Sequence, residues 1–223
     1  MKQRTRDVGA RLGSVQGPGT SAELWYACVG DHVNEVERFS REFLSDVESA
    51  RVHEYRSPGS AERYVVTRSL VRLVLGAHLN RAPRDVPVSR TDTGKPVIAG
   101  GVHFNVSHSG ELILLGLCED RPIGVDVERK RDVQRVDLMV ARWLDEAERQ
   151  QFDSLTSRGL TTSDAFLRVW SLKEARLKAL GVGIAGSAGA PLDTVVVRAL
   201  DELLDDLALD GVDAGYVGAV AFA

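Results

Sequence analysis

The segment Gly124-Val125-Asp126-Val127-Glu128 carries the sharpest chemical signal in the chain. In a strand, side chains alternate, so Asp126 and Glu128 share one face while Ile123, Val125 and Val127 share the other. The two carboxylate-bearing Cα atoms then lie roughly 6.5 to 7 Å apart. Carboxylates at that spacing, on a solvent-facing side, can close on one hard divalent cation of the Mg²⁺ kind. A solvated acidic face on an amphipathic strand fits the same pattern.

A second constellation lies in DAFLRVWSLKEARLKALG, from Asp164 to Gly181. At 3.6 residues per turn, Phe166, Val169, Trp170, Leu177 and Leu180 form one apolar stripe. Glu174 and Lys178 sit at its edge, one turn apart, where either a surface ion pair or a pair facing a cleft is possible. Lys173 falls inside the stripe, and because burying an ammonium is costly it either reaches solvent or meets an anion.

The third element is Gly94-Lys95-Pro96, followed by Phe104-Asn105-Val106-Ser107-His108-Ser109-Gly110. Val102, Phe104 and Val106 alternate inward, and the strand ends in hydroxyls, an imidazole and a flexible glycine suited to phosphate oxygens. Ser107 and His108 are adjacent, so on an extended chain they point apart, and there is no G-x-S-x-G turn to support nucleophilic catalysis. His32, His53, His78 and His103 have no metal-ligand spacing.

These residues need elements to hold them. LWYACV, from Leu24, reads as the first strand, and Asp31 precedes Val33, Val36, Phe39 and Phe43, the three-and-four spacing of a helix with an Asx cap. The segment RSPGS breaks the chain, a helix runs from Ala61 to Leu79, and RAPRDVP and TDTGKP are turns. ELILLGLC and PIGVDVE read as adjacent strands joined at Glu119 to Pro122. A helical stretch at Asp145 to Leu155, a long helix from about Ser163 stopped by Gly181, and strands in TVVVRAL and AGYVGAVAF complete the pattern. Residues 1–20, rich in Gly, Ser and Arg, read as a mobile extension, followed by an N-terminal half (21–110) and a C-terminal half (111–223) without a low-complexity linker.

Composition narrows the classes. With 28 Lys plus Arg against 32 Asp plus Glu there is no global basic field for nucleic acid, so any anion must meet a local cluster. No apolar stretch is long enough to span a bilayer, and the basic N-terminus has no apolar run behind it, so a cytoplasmic setting is expected. Cys28 and Cys118 sit in apolar runs, as buried free thiols do.

GKP, FNVSHSG, GVDVE and WSLKEARLKALG, in this order and at these separations, resemble the signature blocks of the surfactin-synthetase-type phosphopantetheinyl transferases. The resemblance implies an α+β fold: a pseudo-twofold monomer of two similar halves with coenzyme A in the cleft between them. It implies that Asp126, Glu128 and Glu174 surround Mg²⁺ on the coenzyme A diphosphate, that Lys178 and Ser107 touch the diphosphate, and that Gly94, Lys95 and Pro96 lie by the adenine. His108 would approach the 3′-phosphate together with Arg51 and Arg63, and Lys173 counts among the coenzyme A contacts. Glu48 aligns where relatives often have a basic residue. The implied reaction moves phosphopantetheine to a serine of an acyl or peptidyl carrier protein of fatty acid, polyketide or nonribosomal peptide synthesis, with Glu174 placed to take the serine proton. Docking of the carrier is expected on Val136 to Leu155, through Met139, Arg142 and Trp143. Two other classes stay open at this point: a metal-dependent phosphohydrolase or nucleotidyl transferase using the same carboxylates, and an inactive coenzyme A-binding or carrier-docking module.

Overall fold

The computed structural model describes residues 8–99, 101–184, 191–205 and 215–223. Order begins earlier than expected. Strand β1, Ala10–Gly17, forms a hairpin with β2, Thr20–Cys28, through Pro18-Gly19, where Gly19 adopts φ +68. From residue 8 onward the expected mobile extension is therefore folded, and residues 1–7 lie outside the described residues. A 3₁₀ turn, Gly30–Glu35, leads into helix α1, Val36–Phe43, and Asp31 makes no side-chain cap there, contrary to the Asx cap expected. Helix α2, Asp46–Val52, opens on a reciprocal Ser45/Glu48 capping box, and α3, Pro58–Leu79, starts on proline and ends at left-handed Asn80. Short strands β3, Val88–Arg90, and β4, Pro96–Ile98, pair with each other before β5, His103–Ser109, and β6, Leu112–Cys118.

Strand β7, Ile123–Arg129, opens the second half. Helices α4, Val136–Trp143, α5, Glu146–Ser157, and α6, Thr162–Leu180, follow, then β8, Val196–Ala199, α7, Asp201–Asp205, and β9, Tyr216–Phe222. Asp145 and Glu148 box the start of α5, Thr161 caps α6, and Gly181 ends it at φ +74, where a glycine is the least strained residue. Among the described residues no helix is long and apolar enough to cross a membrane, and Cys28 and Cys118 are buried and free.

The strands form an antiparallel sheet in the order β1-β2-β6-β5 and another in the order β7-β9-β8. The expected pairing of β6 with β7 does not occur: β6 is a buried inner strand of the first sheet, between β2 and β5, while β7 pairs with β9. Because β6 belongs to the first sheet, residues 111–118 extend the N-terminal half beyond the expected boundary at 110. Alternation along β6 explains its burial. Ile113, Leu115 and Leu117 pack toward α1 and α3, whereas Leu112, Leu114 and Cys118 pack toward Ile123, Val125 and Val127 of β7. A third apolar layer joins Ala175 and Ala179 of α6 to Ala219 and Ala221 of β9. The layers therefore run helix, sheet, sheet, helix, an α+β arrangement of two halves.

Gly124 sets the closest contact in that stack. A Cβ there would stand 2.1 Å from the Ala175 carbonyl oxygen and 2.3 Å from the Ala179 nitrogen. Its absence lets α6 lie directly on β7, and that approach brings Glu174 and Lys178 over Asp126.

Candidate active site

Three elements meet at one cavity of about 300 Å³: the end of β5, the middle of β7 and the last turns of α6. Its walls include Ser107, His108, Asp126, Glu128, Glu174 and Lys178. The edge strands of the two sheets are stitched together here by side chains of one period-two face of β5. Asn105 Oδ1 accepts the Val125 N–H at 2.9 Å, Ser107 Oγ donates to Asp126 Oδ1 at 2.9 Å, and Ser109 Oγ donates to Glu128 Oε2 at 3.0 Å. From α6, the Lys178 ammonium donates to Asp126 Oδ1 at 2.6 Å and to Ser107 Oγ at 3.0 Å. Arg131 donates to Glu128 Oε2 at 2.8 Å.

Asp126 is buried, at 4% exposure, because its face of β7 lies under α6 and not toward solvent as its alternation suggested. Burial raises its carboxyl above the ordinary range against the opposing pull of Lys178 and Ser107, and the nearby Glu128 raises it further. Glu174 is raised by burial in the same way; Lys178 opposes the shift and Asp126 and Glu128 add to it. Carboxylates crowded into a half-closed cavity want positive charge beyond one ammonium. The buried Asp126 Oδ2 has no hydrogen-bond partner, so it keeps its lone pairs for a ligand. Among the described residues no group of three or more such side chains stands at metal-holding geometry. Even so, the donor set of Asp126, Glu128 and Glu174 consists of hard oxygens on one cavity and suits Mg²⁺ chemically.

The residues expected to read the anion divide. Arg63 lies close enough to His108 to help hold its imidazole below the usual range, after the larger effect of desolvation and ahead of Lys178. The Arg63 Nε is buried without a partner. Arg51 instead stacks over Tyr64, 5.9 Å from the ring centre, and lines a second cavity of about 570 Å³ with Arg68, Arg90 and Pro96. Gly94 adopts φ +83 and its carbonyl accepts from Arg90, so the Gly94-Lys95-Pro96 turn borders that larger cavity only through Pro96.

Two lysines do not join the anion cluster. Lys173 is buried and donates to Glu148 Oε2 of α5 at 2.8 Å, so the anion it meets in the structure belongs to the protein, away from the cavity expected to take coenzyme A. The Lys95 ammonium donates to main-chain carbonyls at the end of α6. The sequence reading missed Asn105 and Ser109 as stitching groups, though their alternation with Ser107 was a visible signal. It also missed Trp170 as a wall of the cavity. Of the expected docking residues, Trp143 turns inward, edge-on to Trp170 at 6.4 Å between ring centres, and Met139 packs on the α4–α6 core. The exposed side of α4 instead presents Arg142 and Leu138, the latter 62% exposed.

Comparison with known proteins places these features in a family. Residues 34–119 match the model of the 4'-phosphopantetheinyl transferase N-terminal domain and residues 122–202 that of the 4'-phosphopantetheinyl transferase superfamily. The chain is 33% identical over 147 residues to the 4'-phosphopantetheinyl transferase HetI of Nostoc sp., covering 64% of this chain and 61% of that protein. It is 28% identical over 156 residues to the transferase gsp of Aneurinibacillus migulanus, covering 68% of this chain and 63% of that protein. With the transferase Sfp of Bacillus subtilis it shares 30% identity over 167 residues, 74% of this chain and 70% of that protein. The chain thus spans somewhat under two thirds of the length of the first two of these relatives. The two consecutive matches meet at the junction of β6 and β7, where the first sheet gives way to the second, and the chain belongs to the 4'-phosphopantetheinyl transferase family of the surfactin-synthetase type.

Proposed function

We propose that this chain transfers the 4′-phosphopantetheine arm of coenzyme A to a serine of an acyl or peptidyl carrier protein, releasing adenosine 3′,5′-bisphosphate. The observation that carries the reading is the convergence on one cavity of three carboxylates, the Lys178 ammonium, the Ser107 hydroxyl and the His108 imidazole. Phosphoryl transfer asks for charge neutralisation and alignment, and this set supplies both.

Mg²⁺ would be held by Asp126, Glu128 and Glu174 and, when bound, supplies positive charge beside the diphosphate. Lys178 and Ser107 donate hydrogen bonds to diphosphate oxygens, moving off Asp126 as the substrate enters. The carrier serine oxygen forms a bond to the phosphorus bearing pantetheine while the bond from that phosphorus to the bridging oxygen breaks, and the electron pair leaves with adenosine 3′,5′-bisphosphate. Glu174, which lines the same cavity as Ser107 and Lys178, takes the serine proton directly or through a water. Ser107 and Lys178 come from opposite halves of one chain, so a monomer suffices.

Coenzyme A consumption that depends on added apo-carrier protein tests this reading. Consumption at the same rate without carrier would make the chain a phosphohydrolase instead.

His108 and Arg63 are assigned to the 3′-phosphate. Dephospho-coenzyme A should then show a KM about tenfold higher than coenzyme A, the size expected for losing a charge-assisted hydrogen bond. In His108→Ala the ratio should shrink to within about threefold; a variant that discriminates as well as wild type removes His108 from that phosphate.

Carrier docking is assigned to the outer face of α4, where Leu138 and Arg142 lie one turn apart. An apolar side chain beside a cation suits the acidic, partly apolar helices of carrier proteins. Arg142→Glu should raise the KM for carrier about tenfold with the KM for coenzyme A unchanged, and equal effects on both substrates would clear α4 of this role.

A further inference from the structure

Lys95 precedes the first residue of β4, yet its side chain crosses to the other half of the molecule. The ammonium donates to the Lys178 carbonyl at 2.5 Å, the Ala179 carbonyl at 3.0 Å and the Ile123 carbonyl at 3.4 Å. Two of these acceptors are among the last carbonyls of α6, the end that carries the negative pole of the helix and lacks intrahelical donors. The third is the first residue of β7, two residues before Val125 and three before Asp126. Its butyl stem runs beside the end of the helix, since a Cβ built on Gly181 would touch Lys95 Cδ at 3.5 Å.

A role in solubility or in ligand binding fits this lysine less well. A lysine kept for solubility would reach water, whereas this ammonium is drawn out of water enough to lower its pKa, with desolvation as the cause. A lysine kept for an anionic ligand would keep its donors free, and all three N–H bonds here have protein acceptors within reach. The same residue is followed by Pro96, which lines the larger arginine-rich cavity of the first half. Lys95 therefore ties a wall of that cavity to the peptide that bears Lys178 and to the strand that bears Asp126.

We propose that Lys95 is a positioning residue, a clasp that fixes the end of α6 against β7 and so sets the Lys178 ammonium over Asp126 and the incoming diphosphate. The inference rests on the transferase reading for its effect on turnover, but the clasp itself does not. Without it, Lys178 would still be present and the cofactor would still find its phosphate contacts, so the loss should fall on turnover and not on binding.

Lys95→Met, which keeps the stem and removes the donors, and Lys95→Arg, which keeps donors, separate these roles in two measurements. In native-state hydrogen exchange, the Gly181 and Val182 amides, which bond to the Lys178 and Leu177 carbonyls, should exchange about tenfold faster in Lys95→Met. The Phe166 to Val169 amides of the same helix should stay unchanged, and Lys95→Arg should remain closer to wild type. In the transfer assay, Lys95→Met should lower kcat about tenfold with the KM for coenzyme A within about threefold, and Lys95→Arg should recover part of the loss. Unchanged exchange at Gly181 and Val182, or faster exchange along all of α6, overturns the clasp. A raised KM with kcat intact overturns it as well and makes Lys95 a cofactor contact. Should wild type transfer nothing, the transferase reading falls and the exchange result alone decides on Lys95.

Discussion

Asp126→Asn is expected to lower kcat for phosphopantetheine transfer by about 10²- to 10³-fold while leaving the fold in place, the size seen when one preorganised electrostatic group is removed from a phosphoryl or acyl transfer site. The substitution keeps the volume and an acceptor for Ser107 and Lys178, but removes the negative charge and turns one of the oxygens into a donor. Asn serves better than Ala, because truncation would take away the oxygen that Ser107 and Lys178 both donate to. The stability side should be small, because Asn keeps the side-chain volume and an oxygen acceptor, and the Lys178 side chain left without its ionic partner is 26% exposed. The check is kcat at saturating coenzyme A and carrier together with a thermal melt. A variant within about threefold of wild type would remove Asp126 from the metal and diphosphate site.

Glu48→Ala should be the most destabilising of the substitutions considered, by about 3–5 kcal/mol, because removing one member of a buried ionic group strands its partners. Glu48 is buried between the guanidinium groups of Arg68 and Arg72 and also closes the capping box at the start of α2. Arg72 keeps acceptors at the Pro83 carbonyl, 2.7 Å away, and the Arg84 carbonyl, 3.0 Å away, so the larger loss falls on Arg68. For a chain of this length the midpoint should fall by roughly 10 °C. Burial pushes the Glu48 carboxyl up, but Arg68 and Arg72 more than reverse this and hold it below its ordinary value. A carboxyl with a depressed folded pKa contributes stability above its unfolded pKa and loses it as pH falls through the folded one. The gap between wild type and Glu48→Ala should therefore close on acidification below the ordinary carboxylate range. A melt unchanged at neutral pH would mean that water, and not Glu48, satisfies these arginines.

The parts of the site that local periodicity encodes were legible in the sequence. The alternation of GVDVE set Asp126 and Glu128 on one face, and the wheel of α6 set Glu174 and Lys178 at the edge of its buried stripe. Pairings between distant segments were not legible. The spacing around Lys173 says only that an ammonium falls in an apolar stripe, while its partner Glu148 lies on another helix. Nothing in Gly94-Lys95-Pro96 announces that the side chain ends 83 residues away on α6. The apolar runs of β6 and β7 specified strands but not partners, because a strand buried on both faces carries no register signal. Strand β1 was missed because the bulge between Arg11 and Gly13 breaks its period-two alternation, so that Leu12 and Val15, three residues apart, both pack on the core, although Pro18-Gly19 was a hairpin turn in plain view.

The central claim, that this chain loads carrier proteins from coenzyme A, is tested most directly by intact-protein mass spectrometry of an apo-carrier protein incubated with the chain, coenzyme A and Mg²⁺. The account predicts that each carrier gains the mass of one phosphopantetheine on its serine, that chelation of the metal stops the gain, and that Asp126→Asn slows it as described. A panel of acyl and peptidyl carriers that remains at the apo mass, with the chain folded and binding coenzyme A, would contradict it.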